Sequence, residues 1–172
     1  MKKYQFKTGI LTALASVAII LSACKKDDPE PTTPTPTPTP TVTSSFSAKL
    51  NGAIFNETLL SGIESTGAAT IAITASRNGG VEAIGLAFPN TIAAGTYTYD
   101  GSFGSKRGIY NLNQTADGMY SADSGTGSLV ITSHDLTNNV VSGTFNFVAN
   151  PNIGSTAVDS HSITEGAFTI QY

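Results

Sequence analysis

Ala69-Thr70-Ile71-Ala72-Ile73-Thr74-Ala75-Ser76-Arg77-Asn78-Gly79-Gly80-Val81-Glu82-Ala83-Ile84-Gly85-Leu86-Ala87-Phe88 reads as two strands and the reversal between them. Ile71 and Ile73 recur at every second position, as do Ile84, Leu86 and Phe88 after the turn. Side chains of a strand alternate between its faces, so this period of two marks strands with one face on a core. Arg77-Asn78-Gly79-Gly80 supplies residues that tolerate the left-handed backbone of a tight reversal. The second strand ends at Pro89, which has no N–H to give to a ladder.

The same grammar extends outward in both directions. Phe46, Ala48 and Leu50 alternate before Asn51-Gly52, a hairpin signal that leads into Ala53-Ile54-Phe55. Gly95-Thr96-Tyr97, Gly143-Thr144-Phe145 and Gly166-Ala167-Phe168 read as three strands that open alike, with a glycine at a bulge or sharp entry and an aromatic after it. Residues 109–113 and 127–132 read as further strands, the latter pairing with 140–149 across a turn at 135–139. Tyr172 is expected to end the chain inside a buried last strand with Phe168 and Ile170. No segment places apolar residues at helical spacing over three turns; residues 58–65 and 155–160 are assigned at most a short helical turn. Residues 44–172 are therefore expected to form one all-β domain, a single antiparallel β-sandwich or partly closed β-barrel of about nine strands.

The segment before this domain is of another kind. Lys2, Lys3 and Lys7 precede an uncharged apolar run from Thr8 to Leu21, and Leu21-Ser22-Ala23 leads to Cys24, the only cysteine in the chain. A basic start, an apolar core too short to span a bilayer and small residues before a cut site define a secretory signal peptide over residues 1–23. A cysteine at the cut site makes it a lipoprotein signal, with Cys24 as the acylated residue. A lone cysteine leaves no internal disulfide. Residues 24–43 comprise the lipidated cysteine, the charged tag Lys25-Lys26-Asp27-Asp28 and a tether with proline at alternate positions from Pro34 to Pro40. Such a run favours an extended polyproline rod, and the 14 residues from Pro29 to Val42 reach roughly 40 Å at about 3.1 Å each.

Reactive side chains are sparse. His134 and His161 are the only histidines, each read as an exposed surface residue; no His-x-His or His-x-x-x-His pair marks a metal site. No Gly-x-Ser-x-Gly elbow occurs, and Glu57 and Glu64 are isolated. Asp100, Asp117 and Asp123 lie in turn-like segments without the spacing of an EF-hand. No catalytic residue, cofactor or metal is assigned. From Ser44 onward four basic side chains face nine acidic ones, a net charge of −5 that repels phosphate backbones and excludes nucleic acid as the expected partner. Lys106-Arg107 reads as a solvated loop tip, and the aromatics Tyr97, Tyr99, Phe103, Tyr110 and Tyr120 chiefly as core.

Lys25-Lys26-Asp27-Asp28 after Cys24 resembles the lysine-then-acidic export signal of Bacteroidota surface lipoproteins. Together with the Thr-Pro tether, Asn51-Gly52, Gly95-Thr96-Tyr97, Gly143-Thr144-Phe145 and Gly166-Ala167-Phe168, the chain resembles a small uncharacterised Bacteroidota surface lipoprotein family. The resemblance implies location and fold class and carries no activity onto any residue. The expectation is a lipid-anchored, surface-exposed, non-enzymatic binding or accessory module of the outer membrane. Its partners are the membrane, through the lipid on Cys24, and a glycan, peptide or envelope protein as ligand. The alternatives are a cell-surface hydrolase whose acids converge only in three dimensions, or a purely structural envelope protein.

Overall fold

The computed structural model describes residues 41–101, 105–115 and 117–172. A compact unit, Thr39–Tyr172, carries every described element. In chain order these are β1 (Ser45–Leu50), β2 (Ala53–Ile54), β3 (Leu59–Ser65), β4 (Thr70–Arg77), a three-residue 3-10 turn (Asn78–Gly80), β5 (Glu82–Pro89), β6 (Gly95–Tyr97), β7 (Arg107–Asn111), β8 (Met119–Asp135), β9 (Val140–Pro151) and β10 (His161–Gln171). All-β architecture is thus confirmed, with ten strands where about nine were expected.

The ten strands form one antiparallel sheet in the order β2-β1-β10-β9-β8-β7-β5-β4-β3, with β6 added against β8. The sheet curls strongly into a half-barrel, which decides between the two architectures left open by the sequence. Its two edge strands, β2 and β3, are consecutive in the chain and joined by residues 55–58 alone. The edges are therefore held near each other, and β3 folds over β10. Gly62 is what allows this: a Cβ there would run into the Ile170 side chain and lie 3.4 Å from Cβ of Tyr172.

The alternation read in the sequence becomes the inner face. Phe46, Ala48 and Leu50 of β1, Ile71, Ile73 and Ala75 of β4, and Ile84, Leu86 and Phe88 of β5 are all buried in one core. The Asn51-Gly52 turn carries positive φ at both residues, 50° and 83°, matching the twist of the strands it joins. Asn78, Gly79 and Gly80 likewise turn β4 into β5 with φ of 55°, 70° and 88°.

Four expectations are corrected. Residues 58–65 hold no helical turn, because residues 59–65 pair with β4 throughout, and residues 155–160 form irregular chain. Only Gly95 opens its strand; Gly143 and Gly166 lie inside β9 and β10. Their role is to make room: Gly166 stands opposite Phe145 and Gly143 opposite Phe168, and added Cβ atoms would lie 2.5 and 2.8 Å from the respective rings. Each ring lies over bare backbone on the neighbouring strand. A bulge with Glu165 at φ 50° does precede Gly166. Leu112 and Asn113 fall in a bend after β7, and Tyr172 sits just beyond β10, half-buried, its phenol hydrogen-bonded outside the core.

Candidate functional site

Glu82 has the parity of Ile84 and Leu86 and so points inward, 7 % exposed, where the half-barrel ends. A carboxylate there needs partners, since an unpaired buried charge is costly. Arg77, across the turn, donates from Nε to Oε2 at 2.7 Å and from Nη2 to Oε1 at 2.9 Å; Tyr110 Oη donates to Oε1 at 2.7 Å. The Arg77 hydrogen bonds hold the Glu82 carboxyl below its ordinary range against the opposing effect of burial, and Tyr110 adds to the lowering. Burial raises the Tyr110 phenol, and its bond to Glu82 raises it further. Arg77 also lies over the Phe55 ring at 4.5 Å.

His161 is part of the same cap and is not the exposed residue the sequence indicated. Its ring packs 4.6 Å from Tyr110 and 4.5 Å from Tyr120. Asn51 Oδ1 accepts from the Ser162 backbone N–H, which orients the amide so that Nδ2 donates to His161 Nδ1 at 3.1 Å. His134 is also half-buried, at the opposite end: Nδ1 contacts the Ile92 carbonyl at 2.7 Å and Nε2 the Tyr172 hydroxyl at 2.8 Å. The two histidines stand beside Ala149 and Val141 of β9, eight residues apart and hence roughly 25 Å. Among the described residues no three His, Cys, Asp or Glu side chains gather as a metal would require.

An open cleft of about 440 Å³ lies outside this cap, within the size range of small-ligand sites. Asp100, Arg107, Ser121, Asp123, Asn152 and Ile153 contribute to its walls. A wide irregularity in β8 forms one wall: between the Ala122–Ala149 and Gly127–Phe147 pairs, residues 123–126 stand opposite Val148 alone. Gly125, at φ 79°, allows the excursion, and its N–H donates to the Tyr99 carbonyl. Asp123 and Ser124 are thereby released from the ladder to face the cleft.

The polar groups in this wall are braced. Ser160 Oγ donates to Asn150 Oδ1 at 2.8 Å, and Asn150 Nδ2 to Asp123 Oδ2 at 2.7 Å. Ser121 Oγ donates to Asn152 Oδ1 at 2.7 Å, which leaves the Asn152 amide hydrogens to turn elsewhere. On the opposite side Asp100 accepts from Ser105 and pairs with Lys106 at 3.2 Å. Lys106 and Arg107 are thus half-buried at the start of β7, and not a solvated tip.

Asp100 and Asp123 are brought to one cleft, whereas Asp117, Glu57 and Glu64 do not join them. Asp117 Oδ1 accepts from the Thr156 N–H at 3.4 Å, and Glu64 accepts from Asn90 at 2.7 Å. Cys24, Lys25, Lys26, Asp27 and Asp28 lie outside the described residues. Reading the sequence missed the Glu82 cluster and the Asn150–Asp123 brace. The one available signal was an acid at an inward-facing strand position, Glu82, directly after a turn that begins with Arg77.

A family model described as "Domain of unknown function (DUF6252)" matches residues 42–170. No curated protein and no solved structure matches the chain.

Proposed function

The chain belongs to the DUF6252 family, and from that premise we propose that it is a lipid-anchored binding module of the bacterial outer membrane, non-enzymatic and displayed at the cell surface. The observation that carries the binding role is the braced polar cleft of Asp100, Arg107, Ser121, Asp123 and Asn152. Its side chains are held by neighbours before any ligand arrives, which lowers the entropy lost on binding. Neither histidine lines it, Ser121, one of its two serines, donates its hydroxyl to an amide and not to a base, and its two acids, Asp100 and Asp123, are engaged by Lys106 and Asn150. Nucleophilic catalysis needs a nucleophile within hydrogen-bond reach of a base.

The anchoring role rests on Leu21-Ser22-Ala23-Cys24 and the display role on Lys25-Lys26-Asp27-Asp28. The position of the cleft fits attachment through the N-terminal tether. Ser45, where the chain enters the domain, pairs with Thr169, which pairs with Ser142; the cleft residue Pro151 is nine positions further along β9, roughly 30 Å away. Attachment on the N-terminal side leaves the cleft residues out of the junction.

Protease treatment of intact cells, with Cys24→Ala alongside, tests anchoring and display together. The full chain should be degraded on intact cells, and Cys24→Ala should leave the membrane fraction. Protection until lysis overturns surface display, and an unmodified Cys24 thiol in mature protein overturns the anchor. Saturable binding that is lost on substitution of Asp123 or Asn152 carries the binding role.

A further inference from the structure

Resting on that reading of the cleft, we propose that its ligand is an uncharged oligosaccharide. Charge is the first discriminator. Asp100, Asp123 and Arg107 line the cleft, and Lys106 beside it pairs with Asp100 at 3.2 Å, so two acids stand with two bases around the cleft although the domain as a whole is acidic. An anionic ligand would require a surplus of basic groups and a cationic ligand a surplus of acids.

Hydrogen-bonding capacity is the second. Every sugar hydroxyl is both donor and acceptor, and a site for it needs acceptors and donors side by side. Asp123 keeps Oδ1 as an acceptor once Asn150 has taken Oδ2, and Asn152 keeps its amide hydrogens as donors once Ser121 has taken Oδ1. Both stand on the same wall, β8 against the end of β9. Beside them Pro151 and the fully exposed Ile153 provide an apolar ledge for the C–H face of a ring.

Strand geometry is the third. An extended peptide is usually held by adding to an open sheet edge. Here β8 and β9 pair with each other up to Ala122 and again from Gly127, and β7 lies along residues 119–121, so the backbone left outside the ladder at this wall is the short break 123–126, whose Gly125 N–H is already given to the Tyr99 carbonyl. Hydroxyl-rich ligands need side chains alone, and these the cleft provides.

The test uses the full chain in detergent micelles, titrated with uncharged tetrasaccharides (β-glucan, α-glucan and mannan), an acidic oligogalacturonide and a mixed-sequence peptide pool. Chemical-shift mapping follows residues 121–124 and 151–153. At least one uncharged tetrasaccharide should shift these residues saturably. Asp123→Asn and Asn152→Ala should each weaken it about tenfold, the loss expected of one hydrogen bond, while Lys49→Ala, at a remote exposed ion pair, should not. Shift mapping of the unsubstituted chain decides the matter even if a variant misfolds. Cleft shifts from only the acidic sugar or the peptides overturn the uncharged-sugar inference and leave the binding module standing. Shifts from none of the probes overturn the inference; saturable shifts of residues 121–124 on titration with an extract of cell-surface polymers, lost in the same variants, then mean a wrong ligand class, and their absence a wrong reading of the cleft. Release of shorter sugars during titration overturns the non-enzymatic reading alone.

Discussion

The Arg77 guanidinium grips the Glu82 carboxylate through two hydrogen bonds, 2.7 and 2.9 Å, across the turn that joins β4 to β5. The planar fork of arginine matches a carboxylate in this way, so Lys would not reproduce it. Arg77→Ala should destabilise the domain by about 2–3 kcal/mol, somewhat below a fully buried pair, because the Arg77 side chain keeps 27 % of its surface exposed. Replacing both partners, Arg77→Met with Glu82→Leu, should cost much less than Arg77→Ala, since no charge is then left buried. Urea unfolding of the three chains decides this; equal losses would show that the pair acts only through its volume.

Acid should reveal the same pair. The Glu82 carboxyl lies below its ordinary range in the folded protein, chiefly through Arg77, so the folded state binds this proton less readily than the unfolded chain. Stability from Glu82 is fully present above about pH 5 and declines as pH falls through the unfolded carboxyl value of about 4.3 and then the lower folded one. Glu82→Gln should be less stable at neutral pH and show a flatter acid limb. An unchanged acid slope would remove Glu82 as its source.

At high pH the sign reverses. Burial raises the phenols of Tyr99 and Tyr110, with Glu82 adding to the rise at Tyr110. The unfolded chain loses these protons near pH 10 while the fold retains them, so stability should fall above about pH 10. Tyr110→Phe should reduce that fall. Its cost at neutral pH should be about 1–2 kcal/mol, from the hydrogen bond withdrawn from a charged, buried Glu82.

Glycines under aromatic rings make a fourth test. Gly166→Ala would place a Cβ 2.5 Å from the Phe145 ring, itself buried between Phe46, Phe147 and Phe168. The cost should be about 2–3 kcal/mol from overpacking. Gly127→Ala should cost more, because a Cβ there meets the backbone of Asn146 and Phe147, which moves less readily than a ring. Gly67→Ala, with nothing within 4 Å, is the control and should be near neutral. Thermal melts order the three.

The chain end is the last. Tyr172 Oη meets His134 Nε2 at 2.8 Å, and the Tyr172 N–H donates to the Asn139 carbonyl. Tyr172→Phe should cost about 1 kcal/mol. Deleting residues 168–172 removes the buried Phe168 and Ile170 as well and should abolish cooperative melting. A truncated chain that melts normally would refute the placement of β10.

Local rules carried far because they were local. The inward faces of β4 and β5, the Asn51-Gly52 turn and the β8–β9 hairpin follow from alternation and from residues that accept positive φ. The same rules failed at Gly143 and Gly166, whose value lies in a ring on the neighbouring strand, and at residues 58–65, where pairing with β4 overrides weak local preference. His161 could not be placed either: what covers it is Tyr110 and Tyr120, 51 and 41 positions away in the chain.

Period-two burial and turn chemistry, which act between near neighbours, were enough for the amino-acid sequence alone to determine an all-β body. Whether that body would be a sandwich or a half-barrel depended on how bulges in β8 and β10 curl the sheet, and on four residues tying its two edges together. The meeting of Asp100 with Asp123, and of Arg77, Glu82, Tyr110 and His161, was likewise decided by the tertiary fold. Sheet register sets which distant side chains become neighbours, and that register is a property of the whole closed-up sheet and of no single stretch within it.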